Sequence, residues 1–170
     1  MAPTPPTHHL ARRVAVIDIG TNSTRLMVAD VADGKVAVVD RRSTVTRLGR
    51  GVDHSRQLSS EGIEAVCETV EEYLRLLQDL AAEATLVIAT SAVRDAANGS
   101  AFVAELRERF NLDAQVIDGD EEAGLTYLGC TSERSGDERL AVIDIGGGST
   151  ELIVGKGPEP LFHTSLQAGV

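Results

Sequence analysis

The chain has 170 residues and a formal net charge of −10, from sixteen Lys and Arg against twenty-six Asp and Glu. This acidic balance argues against a non-specific DNA-binding protein, because such proteins neutralise phosphates with a basic surface. No stretch approaches the roughly 20 apolar residues of a membrane span, and the Pro-rich start lacks the apolar core of a secretory signal. We therefore expect a cytoplasmic protein without a membrane segment, and a disordered lead-in over residues 1–11.

The first third of the chain is basic although the whole chain is acidic, and the two cysteines do not indicate a metal site. Residues 1–56 hold nine Lys and Arg against five Asp, so a polyanionic ligand could still be attracted to this part of the chain. Cys67 and Cys130 lie far apart, without the spacing of a zinc site or of a disulfide framework. We expect both cysteines to be reduced and buried.

The apolar pattern predicts strands and helices in a regular order. The near-continuous apolar run Val14–Ile19 is typical of a central strand covered on both faces. Between residues 59 and 81 apolar side chains recur at three- and four-residue steps, which predicts an amphipathic helix capped by Ser59 or Ser60. The other predicted elements are strands at Leu26–Val31, Val36–Val39, Thr85–Ala89, Ala114–Ile117 and Leu161–Leu166, helices at Ser100–Phe110 and in GDEEAGLTYLGC at 119–130, and a polar turn at 133–138.

The chain contains an internal repeat. VAVIDIGTNSTRLMVADV begins at Val14 and LAVIDIGGGSTELIVGKG begins at Leu140; the two stretches share AVIDIG, then Ser-Thr, then Leu and Val. The predicted order, β-β-β-α-β-α-β-α followed by β-β-β, therefore describes one unit and the start of a second. We expect a mixed sheet covered by helices at 12–132, and an incomplete second unit at 133–170. Uncovered strands at 140–168 would expose apolar faces and favour a homodimer.

Each repeat places an Asp at the end of a buried strand and follows it with a Gly-rich turn that contains Ser-Thr. Such a turn directs several backbone N–H groups at one anionic oxygen, and the two hydroxyls add further donors, so each turn is a candidate phosphate site. Asp18 and Asp144 would face the phosphate. Because like charges repel, the carboxylates are best explained if they hold Mg²⁺ against the phosphate, directly or through water.

Five stretches resemble one known family. They are VAVIDIGTNSTRLMVADV, TRLGRGV at 46–52, ATSAVRDAANG at 89–99, GDEEAGLTYLG at 119–129 and VIDIGGGSTELIVG at 142–155. In this order they resemble the N-terminal part of the exopolyphosphatase and guanosine pentaphosphate phosphohydrolase (Ppx/GppA) family, within the actin, Hsp70 and sugar-kinase superfold. From about Arg12 onward, the resemblance implies a duplicated α/β, ribonuclease H-like fold, present here as the first domain and the opening strands of the second.

The resemblance also implies roles for particular residues. Glu122 of the EEA motif is implied to be the catalytic base, and Asp144 and Glu151 are implied to assist in holding the metal and the attacking water. The predicted metal ligands are Asp18, Asp144 and Glu151, and the predicted phosphate-binding residues are Thr21, Asn22, Ser23, Arg25, Arg94, Gly146, Gly147, Gly148, Ser149 and Thr150. Without the resemblance, Glu121 and Glu122 could be only an acidic first turn of a helix, and Arg94 could pair with Asp95.

The leading functional hypothesis is Mg²⁺-dependent hydrolysis of a terminal phosphoanhydride bond, with inorganic polyphosphate as the preferred substrate and pppGpp as the alternative. A kinase of the same superfold is a second enzyme hypothesis, against which the GDEEA segment argues. A different class of hypothesis is a non-catalytic module that binds polyphosphate or guanosine penta- or tetraphosphate, or an inactive fragment, because the second unit is incomplete. The residues leave open whether K⁺ assists Mg²⁺.

Overall fold

A computed structural model describes residues 10–134, 136–166 and 168–169. Most of the predicted lead-in, residues 1–9, and residue 135 of the predicted polar turn lie outside the described residues. The elements, in chain order, are β1 Arg12–Ile19, β2 Ser23–Ala32, β3 Lys35–Val45, α1 Val52–Ser55, α2 Ser60–Asp79, β4 Ala84–Ala89, α3 Ser91–Asp95, α4 Gly99–Phe110, β5 Ala114–Val116, α5 Gly119–Thr131, β6 Arg139–Ile145, β7 Thr150–Lys156 and β8 Glu159–Leu166.

The strands form two sheets. The first has the order β3-β2-β1-β4-β5, and the second has the order β6-β7-β8. In the first sheet β1 pairs antiparallel with β2 and parallel with β4, which confirms the predicted mixed sheet. The second sheet repeats the antiparallel three-strand unit that opens the first. The duplication seen in the sequence is therefore a duplication of a three-strand meander.

The predicted elements are confirmed, and the structure adds two short helices. Helices α1 and α3 contain four and five residues, which is too short for an apolar period to be read. Strand β3 continues six residues beyond the predicted Val39, through the polar segment 40–45, because an exposed strand needs no apolar pattern. Helix α2 begins as predicted, with the Ser59 hydroxyl accepting the Gly62 N–H at 3.1 Å.

The main core lies on one face of the first sheet. Ala15, Ile17 and Ile19 of β1 are fully buried with side chains of α2 and α4, whereas Val14 and Val16 are half-buried on the opposite face. The prediction that β1 is covered on both faces is therefore wrong for the described residues. The reason is that α5, the helix that follows β5, packs on the second sheet instead.

The second sheet packs one face on α5 and leaves the other open. Tyr127 of α5 is fully buried against Ile153, and the Tyr127 hydroxyl donates to the Gly157 carbonyl at 3.1 Å. On the opposite face Ile143 is 64% exposed and Phe162 is 56% exposed. The expected apolar exposure is confirmed on this face of the described residues of 140–168, whereas the other face is covered by α5, and the homodimer stays a prediction.

The two cysteines are free, and their environments differ. Cys67 is buried in the main core, and this burial raises the pKa of its thiol to about 11. Cys130 lies on the exposed side of α5, so the prediction that it is buried is wrong. No helix among the described residues combines the length and the apolar character needed to cross a membrane.

Candidate phosphate-binding and catalytic site

The two Gly-rich turns have the same backbone geometry. In the first turn the Gly20 N–H donates to the Ser23 carbonyl at 3.0 Å, and in the second the Gly146 N–H donates to the Ser149 carbonyl at 2.8 Å. Each turn joins two antiparallel strands of its own sheet, β1 to β2 and β6 to β7. The repeated sequence therefore builds the same turn twice.

The strand register places one pair of charged residues beside each turn. Asp18 lies opposite Arg25 in the first meander, and Asp144 lies opposite Glu151 in the second. The two hairpins are thus equivalent in backbone and different in charge. The first offers a cation to an anionic ligand, whereas the second offers two carboxylates that suit a metal ion or a water molecule.

The two turns also contact each other. A Cβ built on Gly147 would lie 2.7 Å from Cγ of Asn22, so an alanine there would require the Asn22 side chain or the turn to shift. The Thr21 hydroxyl lies 2.9 Å from the Ser91 hydroxyl at the start of α3. The second turn therefore lies against Asn22 of the first turn, and the first turn also contacts α3.

The segment at 46–49 supports the first turn. The Gly49 N–H donates to the Thr21 carbonyl at 2.9 Å, and the Thr46 N–H donates to the Asn22 carbonyl at 3.1 Å. Gly49 has no space for a side chain, because a Cβ there would overlap the Thr21 side chain, and Leu48 is fully buried in the core. The TRLGRGV stretch thus has a structural role in holding the first Gly-rich turn.

A cleft of about 220 Å³ lies between the two turns. Most predicted site residues line it: Asp18, Thr21, Asn22, Ser23, Arg25, Glu122, Asp144, Gly146, Gly147, Ser149 and Glu151. Gly148 lies beside a neighbouring shallow pocket with Thr21 and Ser91, and the Thr150 hydroxyl donates to the Ala168 carbonyl at 2.6 Å. Arg94 is not among the residues that line the cleft, but it contacts two that are, Ile117 and Glu122, and its phosphate contact stays a prediction.

Arg94 bonds two groups at the start of helix α5. Its Nη1 donates to the Ile117 carbonyl at 2.9 Å and to Glu122 Oε2 at 3.3 Å, and its Nε lies 3.7 Å from Asp95 Oδ1. The Asp118 side chain caps the same helix by accepting the Glu121 N–H at 2.8 Å. Glu122 is consequently held at the cleft, while the neighbouring Glu121 is exposed.

Burial and like charge raise the pKa of two carboxyl groups at the cleft. Burial raises the pKa of Asp18, Arg25 partly opposes this rise, and Asp144 adds to it. Burial also raises the pKa of Glu122, which the hydrogen bond from Arg94 opposes and to which the charges of Glu151 and Asp18 add. The cleft therefore holds more negative charge than its own cations neutralise.

The carboxylates fit a Mg²⁺ ion that keeps several of its waters. Asp18 Oδ1 is buried and accepts no hydrogen bond from the described residues, which is the state expected of an oxygen that binds a cation. Among those residues, no three His, Cys, Asp or Glu side chains converge as a complete metal cage. Mg²⁺ is commonly held by one or two carboxylates together with substrate phosphates, so it requires no such cage.

Several residues that line the cleft were not predicted from the sequence. Buried Thr90 and Ser91 contribute hydroxyl groups from the end of β4 and the start of α3, and Thr126 contributes one from α5. A signal for the first two was present, because both lie inside the ATSAVRDAANG stretch. The apolar wall is formed by Ile88, Ile117, Leu125 and Ile145.

Comparison with solved structures identifies the class of fold. MreB5 of Spiroplasma citri bound to ADP has a TM-score of 0.51 at 14% identity, over 93% of this chain and 53% of that chain. An exopolyphosphatase from Cytophaga hutchinsonii has a TM-score of 0.87 at 29% identity, over 93% of this chain and 51% of that chain. The fold is therefore the predicted actin-like α/β fold, with a cleft between its two duplicated turns.

Comparison of sequences identifies the family within that fold. The model of the Ppx/GppA phosphatase family matches residues 27–170, and the chain belongs to this family. A curated relative from Pseudoalteromonas atlantica, named guanosine-5′-triphosphate,3′-diphosphate pyrophosphatase, is 32% identical over 164 residues. The match covers 96% of this chain and 33% of the relative, so the chain spans about a third of that protein's length.

Proposed function

We propose that this chain carries the phosphate-binding and catalytic part of a hydrolase that removes the terminal phosphate from a linear phosphate chain. The observation that carries the proposal is the cleft between the turns at 20–23 and 146–149, with Glu122 in its wall. Backbone N–H groups and hydroxyls of the two turns supply donors for phosphate oxygens, and Arg25 supplies positive charge. The family assignment agrees with this chemistry.

Hydrolysis of a phosphoanhydride needs a water molecule in line with the leaving group and a positive charge beside the non-bridging oxygens, where it neutralises their negative charge. Glu122 is suited to accept a proton from that water, because burial raises its pKa toward neutrality while Arg94 keeps it available as a base. Glu151 is suited to orient the same water. Mg²⁺ held by one or two of the carboxylates of Asp18, Asp144 and Glu151, together with phosphate oxygens and water, would neutralise charge on the phosphate.

Two phosphate chains are candidate substrates. Inorganic polyphosphate is the first, because a cleft that offers donors from two facing turns needs no nucleoside for binding. The pppGpp molecule is the second, and the name of the 32% identical relative is the observation that favours it. A non-catalytic module that binds either compound is the competing proposal.

The test is phosphate release from long-chain polyphosphate and from pppGpp with Mg²⁺. It uses the 170-residue chain and a fusion that continues after residue 170 with the matching part of the Pseudoalteromonas atlantica relative. Glu122→Gln should abolish release in the active protein, and the matched control Glu121→Gln, at an exposed neighbour, should retain it. Binding of either compound without release in both proteins would support the module; neither binding nor release would overturn both proposals.

A further inference from the structure

Glu151 is deeply buried although it lines the cleft. The residue is 5% exposed and lies in the middle strand of the second sheet, between Asp144 of β6 and Ser165 of β8 in the strand register. The Ser165 hydroxyl donates to Glu151 Oε1 at 3.0 Å. Glu151 also lines the cleft, so one carboxylate contacts both Ser165 and the cleft.

The surroundings of Glu151 would displace an unanchored carboxylate. Asp144 lies opposite Glu151, and the charge of Glu151 raises the pKa of Glu122, so three acidic side chains share one region. A glutamate has three side-chain torsions, and repulsion from like charges favours any rotamer that increases the separation. A hydrogen bond from a fixed hydroxyl opposes this rotation, because bonds to charged groups are stronger than neutral ones.

Strand β8 is itself held against the helix that carries Glu122. His163 lies two residues before Ser165, on the same face of the strand, and its Nε2 lies 2.8 Å from Asp120 Oδ1 in the first turn of α5. This contact links the strand that carries Ser165 to the helix that carries Glu122. The sequence alone did not predict a role for either residue of β8.

We propose that Ser165 is a positioning residue that holds the Glu151 carboxylate in its working orientation. This inference rests on the proposed hydrolysis at the same cleft. Ser165 does not itself contact substrate; it acts through Glu151. Loss of the hydroxyl should therefore slow turnover and leave the affinity for the phosphate chain almost unchanged.

The kinetic test compares the wild type with Ser165→Ala, Ser165→Thr and Thr164→Ala in the active form of the protein. Ser165→Ala should lower kcat about tenfold and change KM by less than about twofold, as expected for one hydrogen bond to a charged group. Ser165→Thr keeps a hydroxyl and should restore most of the rate. Thr164 pairs with Leu152 on the opposite face of the same strand, so Thr164→Ala removes a hydroxyl without touching Glu151.

A crystal structure of Ser165→Ala supplies a readout that does not depend on activity. The Glu151 carboxylate should move by about 1 Å or more, a displacement large enough to impair catalysis, while Glu122 stays in place. An unmoved Glu151 overturns the inference, and so does a moved Glu151 with an unchanged kcat, or a Ser165→Thr variant as slow as Ser165→Ala. If the wild type releases no phosphate, the proposed hydrolysis fails, and the position of Glu151 in the variant still decides whether Ser165 fixes it.

Discussion

Asp144 lies directly across the β6–β7 pair from Glu151, in the register that places Asp18 across the β1–β2 pair from Arg25. One copy of the hairpin thus pairs a carboxylate with a guanidinium group, and the other pairs two carboxylates. Duplicated copies that keep their backbone and exchange one charge can divide a task. We expect the first hairpin to bind the anionic ligand and the second to serve the chemical step.

Neutralising Arg25 and Glu151 one at a time tests this division. Arg25→Gln should weaken binding of tripolyphosphate about tenfold, because it removes a charge-assisted bond to phosphate. Glu151→Gln should leave that affinity within about threefold and lower kcat at least about a hundredfold. Calorimetry and steady-state rates measure both quantities. Arg107→Gln, at an exposed arginine of α4, is the matched control, and an unaltered affinity in Arg25→Gln would contradict the division.

The ion pair between Arg94 and Glu122 predicts a shift in the pH dependence of turnover. The guanidinium opposes the rise in the pKa of Glu122, so Arg94→Gln should raise that pKa further. A base is active when it is deprotonated, and the acidic limb of the kcat/KM profile should therefore move to higher pH. Arg75→Gln removes a surface arginine that pairs with Glu71 on α2, and its profile should match the wild type. If the acidic limb of the Arg94→Gln profile stays where it is in the wild type, Glu122 is not the base that takes the proton.

The buried, unpaired oxygen of Asp18 predicts a change in stability that depends on Mg²⁺ and pH. In EDTA near pH 7, Asp18→Asn should raise Tm by about 3 °C, or roughly 1 kcal/mol, because it removes a buried charge. The folded pKa of Asp18 is raised, so the native state binds more protons than the unfolded state between the two pKa values. The increase in Tm of Asp18→Asn over the wild type should therefore be small near pH 4. It should grow as pH rises towards the folded pKa of Asp18 and level off above it.

Added Mg²⁺ should stabilise the wild type more than it stabilises Asp18→Asn, because a ligand of the folded state raises Tm by mass action. Thermal melts with and without the metal measure this difference. Glu108→Gln, on the exposed side of α4, removes an acidic charge away from the cleft and should respond to Mg²⁺ like the wild type. Equal stabilisation of Asp18→Asn and wild type would remove Asp18 from the metal site.

The contact between the two turns predicts that Gly147→Ala impairs the cleft. The added methyl group would displace the Asn22 side chain or the turn, and because both line the cleft, binding of tripolyphosphate should weaken by about tenfold. Gly129→Ala is the control, because a Cβ there meets no atom within 4 Å. That variant should stabilise helix α5 by roughly 0.5–1 kcal/mol and bind normally. Normal binding by Gly147→Ala would show that the turns do not act together.

The open face of the second sheet predicts self-association. The exposed Phe162 should be replaced by Lys, and the wild type and Phe162→Lys should be compared by sedimentation over a range of concentrations. We expect a dimer in the wild type that the substitution weakens, because it places a charge on an apolar face. Val36→Lys, at an exposed apolar position of edge strand β3, controls for added charge. A wild type that stays monomeric would contradict the prediction.

The sequence predicted the elements and the duplicated turns because both are local. Apolar periods define β1 and α2, and the repeated Gly and Ser-Thr define the turns, without reference to any distant residue. Short helices such as α3 lacked a readable period. The exposure of Cys130 and the open face of β1 were also mispredicted, because both depend on which sheet α5 covers.

What the tertiary structure alone decided is which side chains meet. Sequence order cannot show that Arg94 bonds Glu122, 28 residues away, or that the Ser165 hydroxyl reaches Glu151 from the next strand. Both contacts arise from strand register and helix packing, which are set by the burial of apolar faces across the whole chain. The sequence by itself determined which residue types are available to the site; the fold decided that Arg94 bonds Glu122, that Asp144 lies opposite Glu151, and that the Ser165 hydroxyl donates to Glu151.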